Sequence, residues 1–131
     1  MVRHPVTTGE KPLHWVGSSK RDFLAFPAPV QGDMGYALGV AQLRGKHPNA
    51  KPWKGEGPGV FEVVENFDGD TYRTAYTVRF EGAVYVLHAF QKKSPSGIRT
   101  ASQDVELIRE RLKRAREDYE TRQQAPKGAG G

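Results

Sequence analysis

Four residues could do chemistry together. His88, Lys92 and Lys93 fall within the run VYVLHAFQKK (84–93), and Arg73 precedes them in DTYRTAYTVRF (70–80). An imidazole moves protons near neutral pH with little tuning. A guanidinium offers a planar fork and an ammonium a point charge, and both suit a phosphodiester. Each residue also has a plainer reading. His88 could be a hydrogen-bonded, half-buried strand histidine, Lys92 and Lys93 a solvated strand end, and Arg73 the partner of Glu62 or Asp70.

Whether the four meet depends on the strands that carry them. Val60–Phe67, Thr71–Phe80 and Ala83–Gln91 read as an antiparallel meander, with turns at Asp68-Gly69-Asp70 and Glu81-Gly82. A two-residue loop at Glu81-Gly82 sets Phe80 opposite Ala83, Arg73 opposite Phe90 and Ala75 opposite His88. Alternation then places Arg73, Ala75, Thr77 and Arg79 on one face with Val84, Val86, His88, Phe90 and Lys92. Tyr72, Tyr76, Val78, Phe80, Tyr85 and Leu87 take the other face. The expectation is one open sheet face where cations converge with few carboxylates to neutralise them. It fails if the groups lie on opposite sides of the sheet, or are buried in pairs with acids; a basic scaffold would then remain. A one-residue slip in register would scatter them.

The rest of the chain supplies the frame. Leu13–Val16 reads as a first strand. A short helix follows Ser18-Ser19 and stops at Pro27, and a second runs from Pro29 to Leu43 on the spacing of Val30, Met34, Leu38 and Ala41. Gly32, Gly35 and Gly39 each cost a helix interior about 1 kcal/mol relative to Ala, which predicts another backbone packed closely against them. Residues 44–59 hold four glycines, three prolines and four bases, and read as a loop. From Gln103 to Arg122 the stripe Val105, Ile108, Leu112, Ala115, Tyr119 marks an amphipathic helix. The order β-α-α-β-β-β-α predicts an α+β domain: a small antiparallel sheet with two N-terminal helices on one face and a last helix at its edge. Residues 1–12 read as a flexible arm, 13–122 as the single domain and 123–131 as a disordered tail.

The 131 residues carry 20 Lys+Arg against 15 Asp+Glu, a net charge of +5. Residues 102–122 contain six acids and six bases, so the surplus lies in Arg44, Lys46, Lys51 and Lys54 and in Lys92, Lys93 and Arg99. Such patches suit a polyanion, or serve solubility alone. Trp53, between Lys51 and Lys54, could stack on a base or pin its loop to the core. With no cysteine, disulfides, thiolate metal sites and cysteine nucleophiles are excluded. The four histidines show no metal-ligand spacing, and the absence of cysteine agrees with a cytoplasmic address. No apolar run reaches the length of a membrane span.

The stretch GPGVFEVVENFDGDTYRTAYTVRFEGAVYVLHAFQKK (57–93), followed by a charged helix, resembles the RelE/HigB superfamily of bacterial toxins, in its phage-derived, HigB-like branch. The likeness covers roughly residues 13–119. It rests on the Gly-hydrophobic-hydrophobic-Glu piece at 59–62, on Tyr72-Arg73 with Tyr76, and on Val84–Lys93. Val63 and Val64 stand where many relatives carry a basic residue, and Thr100-Ala101 where Thr-Pro is common. The resemblance implies a cytoplasmic toxin of a type II toxin–antitoxin pair, blocked by a small helix-turn-helix antitoxin. Its activity would be metal- and cofactor-independent endonuclease cleavage of mRNA, typically on the ribosome. By position, Arg73 would clamp the scissile phosphate. Lys92 and Lys93 would stabilise the transition state or hold the backbone, and His88 would serve as base or acid. Lys51, Trp53, Lys54, Arg79 and Arg99 complete the expected RNA-contacting set. The rival is a non-catalytic nucleic-acid or protein-binding module on the same fold.

Overall fold

The computed structural model describes residues 10–92 and 102–124. Lys93, Arg99, most of the expected arm and the last seven residues lie outside the described residues. The elements are β1 (Leu13–Trp15), α1 (Ser19–Leu24), α2 (Ala28–Gln42), β2 (Ala50–Pro52), β3 (Val60–Phe67), β4 (Asp70–Thr77), β5 (Val84–Lys92) and α3 (Ser102–Gln124). The fold is α+β in the order expected, with β2 in addition. The three-residue strand β2 hides in a Gly/Pro-rich stretch and forms by pairing Ala50, Lys51 and Pro52 with Val63, Glu62 and Phe61. The strands form one five-stranded mixed sheet, β1-β5-β4-β3-β2, in which β1 joins parallel to β5 and the other pairs are antiparallel. Helix α3 continues two residues into the segment expected to be a tail.

Local chemistry explains the β3–β4 hairpin. Asp68 (φ 52°) and Gly69 (φ 85°) both take positive φ, as a type I′ turn requires, and Phe67 pairs with Asp70. That turn fixes Glu62 opposite Ala75 and Val64 opposite Arg73. The β4–β5 connection differs from the two-residue loop expected. Only its Gly82 has positive φ, and the strands end at Thr77 and begin again at Val84. The segment between them bonds elsewhere: Val78 N–H donates to Gly59 O (2.9 Å), and the Thr77 hydroxyl donates to the same carbonyl (2.8 Å).

The result is a bulge. Arg73↔Phe90 and Ala75↔His88 pair as expected, but Tyr76 pairs with Val86 and Thr77 with Tyr85, leaving Leu87 over. The expected face assignment is therefore corrected on the turn side of the bulge. Val84 and Val86 join Tyr72, Tyr76, Val63 and Ala89 against Phe23, Phe26, Met34 and Leu38 of the first two helices. Tyr85, Leu87 and Phe80 join Ala75 and Phe90 on the other face. Below the bulge Arg73, His88 and Phe90 keep their common side.

Helix α3 lies across that second face rather than at the edge, because Ile108, Leu112 and Ala115 are buried against Tyr85, Leu87 and Trp53. Its far end is tied down where the Tyr85 hydroxyl donates to Asp118 (2.7 Å), which Arg122 also meets (2.6 Å). Arg122, then Tyr85, hold the Asp118 carboxyl below the usual carboxylate range. A depressed folded-state pKa gives stability that is present above the unfolded value, near 3.9, and lost as pH falls through the folded one. Asp118→Asn should therefore cost up to about 1 kcal/mol at neutral pH, as for half-exposed ion pairs. The difference from wild type in urea midpoint should begin to shrink below about pH 4 and vanish once the pH lies below the depressed folded-state value. Among the described residues no helix is long and apolar enough to cross a membrane.

Candidate active site

The part of the second face that α3 leaves beside β5 is built from β2, β3 and β4. At its centre Arg73 Nη1 donates to Glu62 Oε1 at 2.7 Å, with side-chain exposures of 16% and 13%. The two are diagonal neighbours across the hairpin, since Arg73 sits opposite Val64 and Glu62 opposite Ala75. Arg73 Nε is buried and has no partner among the described residues. Phe90 lies opposite Arg73 on β5, and Lys51 opposite Glu62 on β2, where it is exposed. Lys92 pairs with Thr71 at the end of β5.

His88 is on the same side but not in the same site. It is 6% exposed, stacks on Phe90 (4.6 Å between centroids), and its Nε2 meets Asp104 of α3 at 2.8 Å. Its Nδ1 faces Arg111 Nη1 at 3.5 Å. Nε2 donating to the carboxylate leaves Nδ1 as the acceptor toward Arg111, so no ring nitrogen is left to face a substrate. Arg111 itself donates to Leu87 O (3.1 Å) and to the Ser18 hydroxyl (3.1 Å), which donates to Asp22 (2.8 Å). Burial lowers the Arg111 pKa from its ordinary value. Its backbone acceptor, Leu87, is the residue the bulge leaves without a partner on β4.

The other expected contacts divide. Lys51 and Lys54 are exposed. Trp53 is 8% exposed and buried with Val60, Ile108 and Leu112, so it pins the loop and presents no face for a base. Trp53→Ala should cost about 3–5 kcal/mol of stability, read as a lower urea midpoint, and leave RNA affinity of the folded fraction unchanged. Arg79 donates to the carbonyls of Pro58 (3.0 Å) and Glu56 and so clamps the loop ahead of β3. Gly57 and Gly59, both at positive φ, give it room, since a Cβ on either would come within 3.1 Å of its side chain.

Two expectations fail here. The cations do not stand without acids: Glu62 pairs with Arg73, Asp104 with His88, and Glu56 with Arg109 (3.1 Å). Those carboxylates come from β3, α3 and the preceding loop, distant in sequence from the strand end. Nor is there one pocket, because the bulge and α3 draw His88 into a buried network apart from Arg73. Sequence reasoning missed Arg111 and Asp104 as its partners. The signal for Arg111 was its place three residues after Ile108 and four before Ala115, inside the apolar arc of α3. Glu62 is one of the two acids that the sequence offers Arg73, and it is the one that Arg73 meets.

Among the described residues, surface cavities lie elsewhere as well. One of about 430 Å³ is bounded by His14, Tyr85, Asp118 and Arg122, and one of about 490 Å³ by Phe26, Tyr72, Ala89 and Gln91. Among the described residues no group of three or more His, Cys, Asp or Glu could hold a metal ion.

A family model described as "Phage derived protein Gp49-like (DUF891)" matches residues 21–113. Among solved structures, a chain of the toxin–antitoxin complex RelBE2 from Mycobacterium tuberculosis aligns at 17% identity and a TM-score of 0.46, covering 66% of this chain and 97% of that one. No curated protein matches the chain.

Proposed function

The chain belongs to the Gp49-like family of phage-derived proteins, and from that premise we propose that it is the toxin of a type II toxin–antitoxin pair. Its activity is endonucleolytic cleavage of mRNA in the ribosomal A site, without a metal or other cofactor. The observation that carries this reading is the Glu62–Arg73 pair, 2.7 Å apart on a sheet face flanked by exposed Lys51. A carboxylate beside a guanidinium is what transesterification by a 2′-OH requires. The carboxylate takes the hydroxyl proton, and the guanidinium binds the phosphate oxygens on which negative charge grows.

In this reading Glu62 is the base and Arg73 the phosphate clamp, its bond to Glu62 setting both side chains before RNA arrives. Lys92 and Lys93, at and just past the end of β5, stabilise the leaving oxygen and the backbone. Lys51 and Lys54 hold the message or ribosomal RNA through salt-sensitive phosphate contacts. His88 acts through structure, by fixing α3. The inhibiting partner is a small helix-turn-helix antitoxin, and the site of action is the cytoplasm.

One observation favours a second reading, a non-catalytic binding module: Arg73 and His88 are both paired with acids of the chain itself. Inducing the wild-type gene alone separates the two. Growth arrest, with new mRNA 5′ ends in a short pulse that depend on ribosomes, supports the nuclease. A harmless wild type, or unchanged 5′ ends, leaves the binding module.

A further inference from the structure

Helix α2 has one charged residue, Asp33, among its fifteen. Its buried side carries Val30, Met34, Ala37, Leu38 and Ala41. The opposite side should be charged if it faced water permanently. Instead it presents Gly32, Tyr36, Gly39 and Leu43, spaced four, three and four residues apart, with Tyr36 68% and Leu43 66% exposed. Nothing among the described residues explains the glycines: a Cβ on Gly32, Gly35 or Gly39 would meet no atom beyond the helix's own backbone within 4 Å. The close backbone expected there is not part of this chain's described structure.

We propose that this face of α2 pairs with the same face of a second copy of the chain, antiparallel across a two-fold axis. An axis between residues 37 and 38 sets Tyr36 level with Gly39 of the second copy, and Leu43 level with its Gly32. Each exposed apolar side chain then meets a position with no side chain, twice by symmetry, as an isologous contact requires. The charges agree with the same register. Asp33 has no ion-pair partner among the described residues, and Arg44 is exposed with only a loose 3.6 Å contact to exposed Glu81. Arg44 follows the C-cap of α2, with φ 71°, and the antiparallel register sets Asp33 of each copy level with residue 42 of the other, within about a turn of that basic helix end. Self-complementary shape and charge select a second copy over an unrelated helix. The face lies behind the sheet from Glu62 and Arg73, so the pairing does not rest on the nuclease reading.

Sedimentation velocity on the full chain, from about 1 to 200 μM, should show a monomer–dimer equilibrium with a micromolar constant, as a single helix pair buries a small interface. Gly39→Gln and Tyr36→Ser should each weaken it at least tenfold. Gly39→Gln should also raise the thermal midpoint by roughly 3 °C, because glycine is a poor helix residue; a residue needed for folding would do the reverse. Asp33→Lys and Arg44→Asp should each weaken the dimer, and the double swap should restore it. A monomer at every concentration overturns the proposal, as does a dimer indifferent to these changes. So does a monomer whose Tyr36 face binds a co-expressed helix-turn-helix protein.

Discussion

Glu62→Gln and Arg73→Ala should each lower single-turnover RNA cleavage by about 10²–10⁴-fold, the range for loss of a positioned proton acceptor or a preorganised charge. Glutamine keeps the shape of Glu62 and a hydrogen-bonding oxygen for Arg73 but cannot take the 2′-OH proton. Arg73→Lys keeps the charge but loses the planar fork, and should recover only a small part of the activity. Because the two side chains act as one unit, the double variant should be scarcely worse than either single one. Each substitution leaves a partner half-buried, so a stability loss of about 1–3 kcal/mol is expected alongside. Circular dichroism and urea midpoints separate that loss from the loss of rate. His88→Asn gives the contrast: it should lower stability and leave the rate per folded molecule within about tenfold, since the ring touches Asp104, Arg111 and Phe90.

Arg111→Ala should cost about 2–4 kcal/mol of stability. Its guanidinium joins three parts of the fold, accepting no proton itself and donating to Leu87 O, to Ser18 and toward His88. Removing it leaves the bulge carbonyl of Leu87 unsatisfied, at about 1–3 kcal/mol, and opens a cavity between α3 and the sheet. Arg111→Met fills the volume and relieves the cost of burying a charge, so its loss should be the smaller. Gly17 belongs to the same arrangement: it has φ 57°, and a Cβ there would lie 2.9 Å from Arg111 Nε. Gly17→Ala should therefore destabilise wild type more than it destabilises Arg111→Ala, a non-additivity that equilibrium urea unfolding can read.

The strands and helices of this chain were legible because their patterns are local. Alternation across Val60–Phe67, the Asp68-Gly69 turn and the stripe on α3 each mark one element without help from distant residues. The family, too, could be read from residues 57–93, and the match over 21–113 agrees. Two non-local contacts escaped. Strand β2 exists through its pairing with β3, and the bulge at Leu87 lies where β4 gives out, the Val78 N–H bonding to Gly59 O in the loop before β3.

The candidate site was legible to the same degree. Arg73 follows from a tight turn and stands where the register put it, and Glu62 was in view as its partner. His88 could not be placed, because its surroundings come from Asp104 and Arg111, carried by a helix whose angle across the sheet is set by packing. Trp53 and Arg79 look like nucleic-acid contacts by type and neighbourhood, yet their surroundings turn both inward. Residue type named the chemistry that was possible; burial decided which residues could reach a ligand.

The central claim is that a ribose hydroxyl attacks the adjacent phosphate under Glu62 and Arg73. End-group analysis of the cleaved RNA, made in excess EDTA, tests it most directly. A 2′,3′-cyclic phosphate on the upstream fragment and a 5′-hydroxyl on the downstream one are predicted, with cleavage abolished by a 2′-deoxy sugar at the scissile position. A 3′-hydroxyl with a 5′-phosphate, or cleavage that persists at the deoxy position, would contradict it.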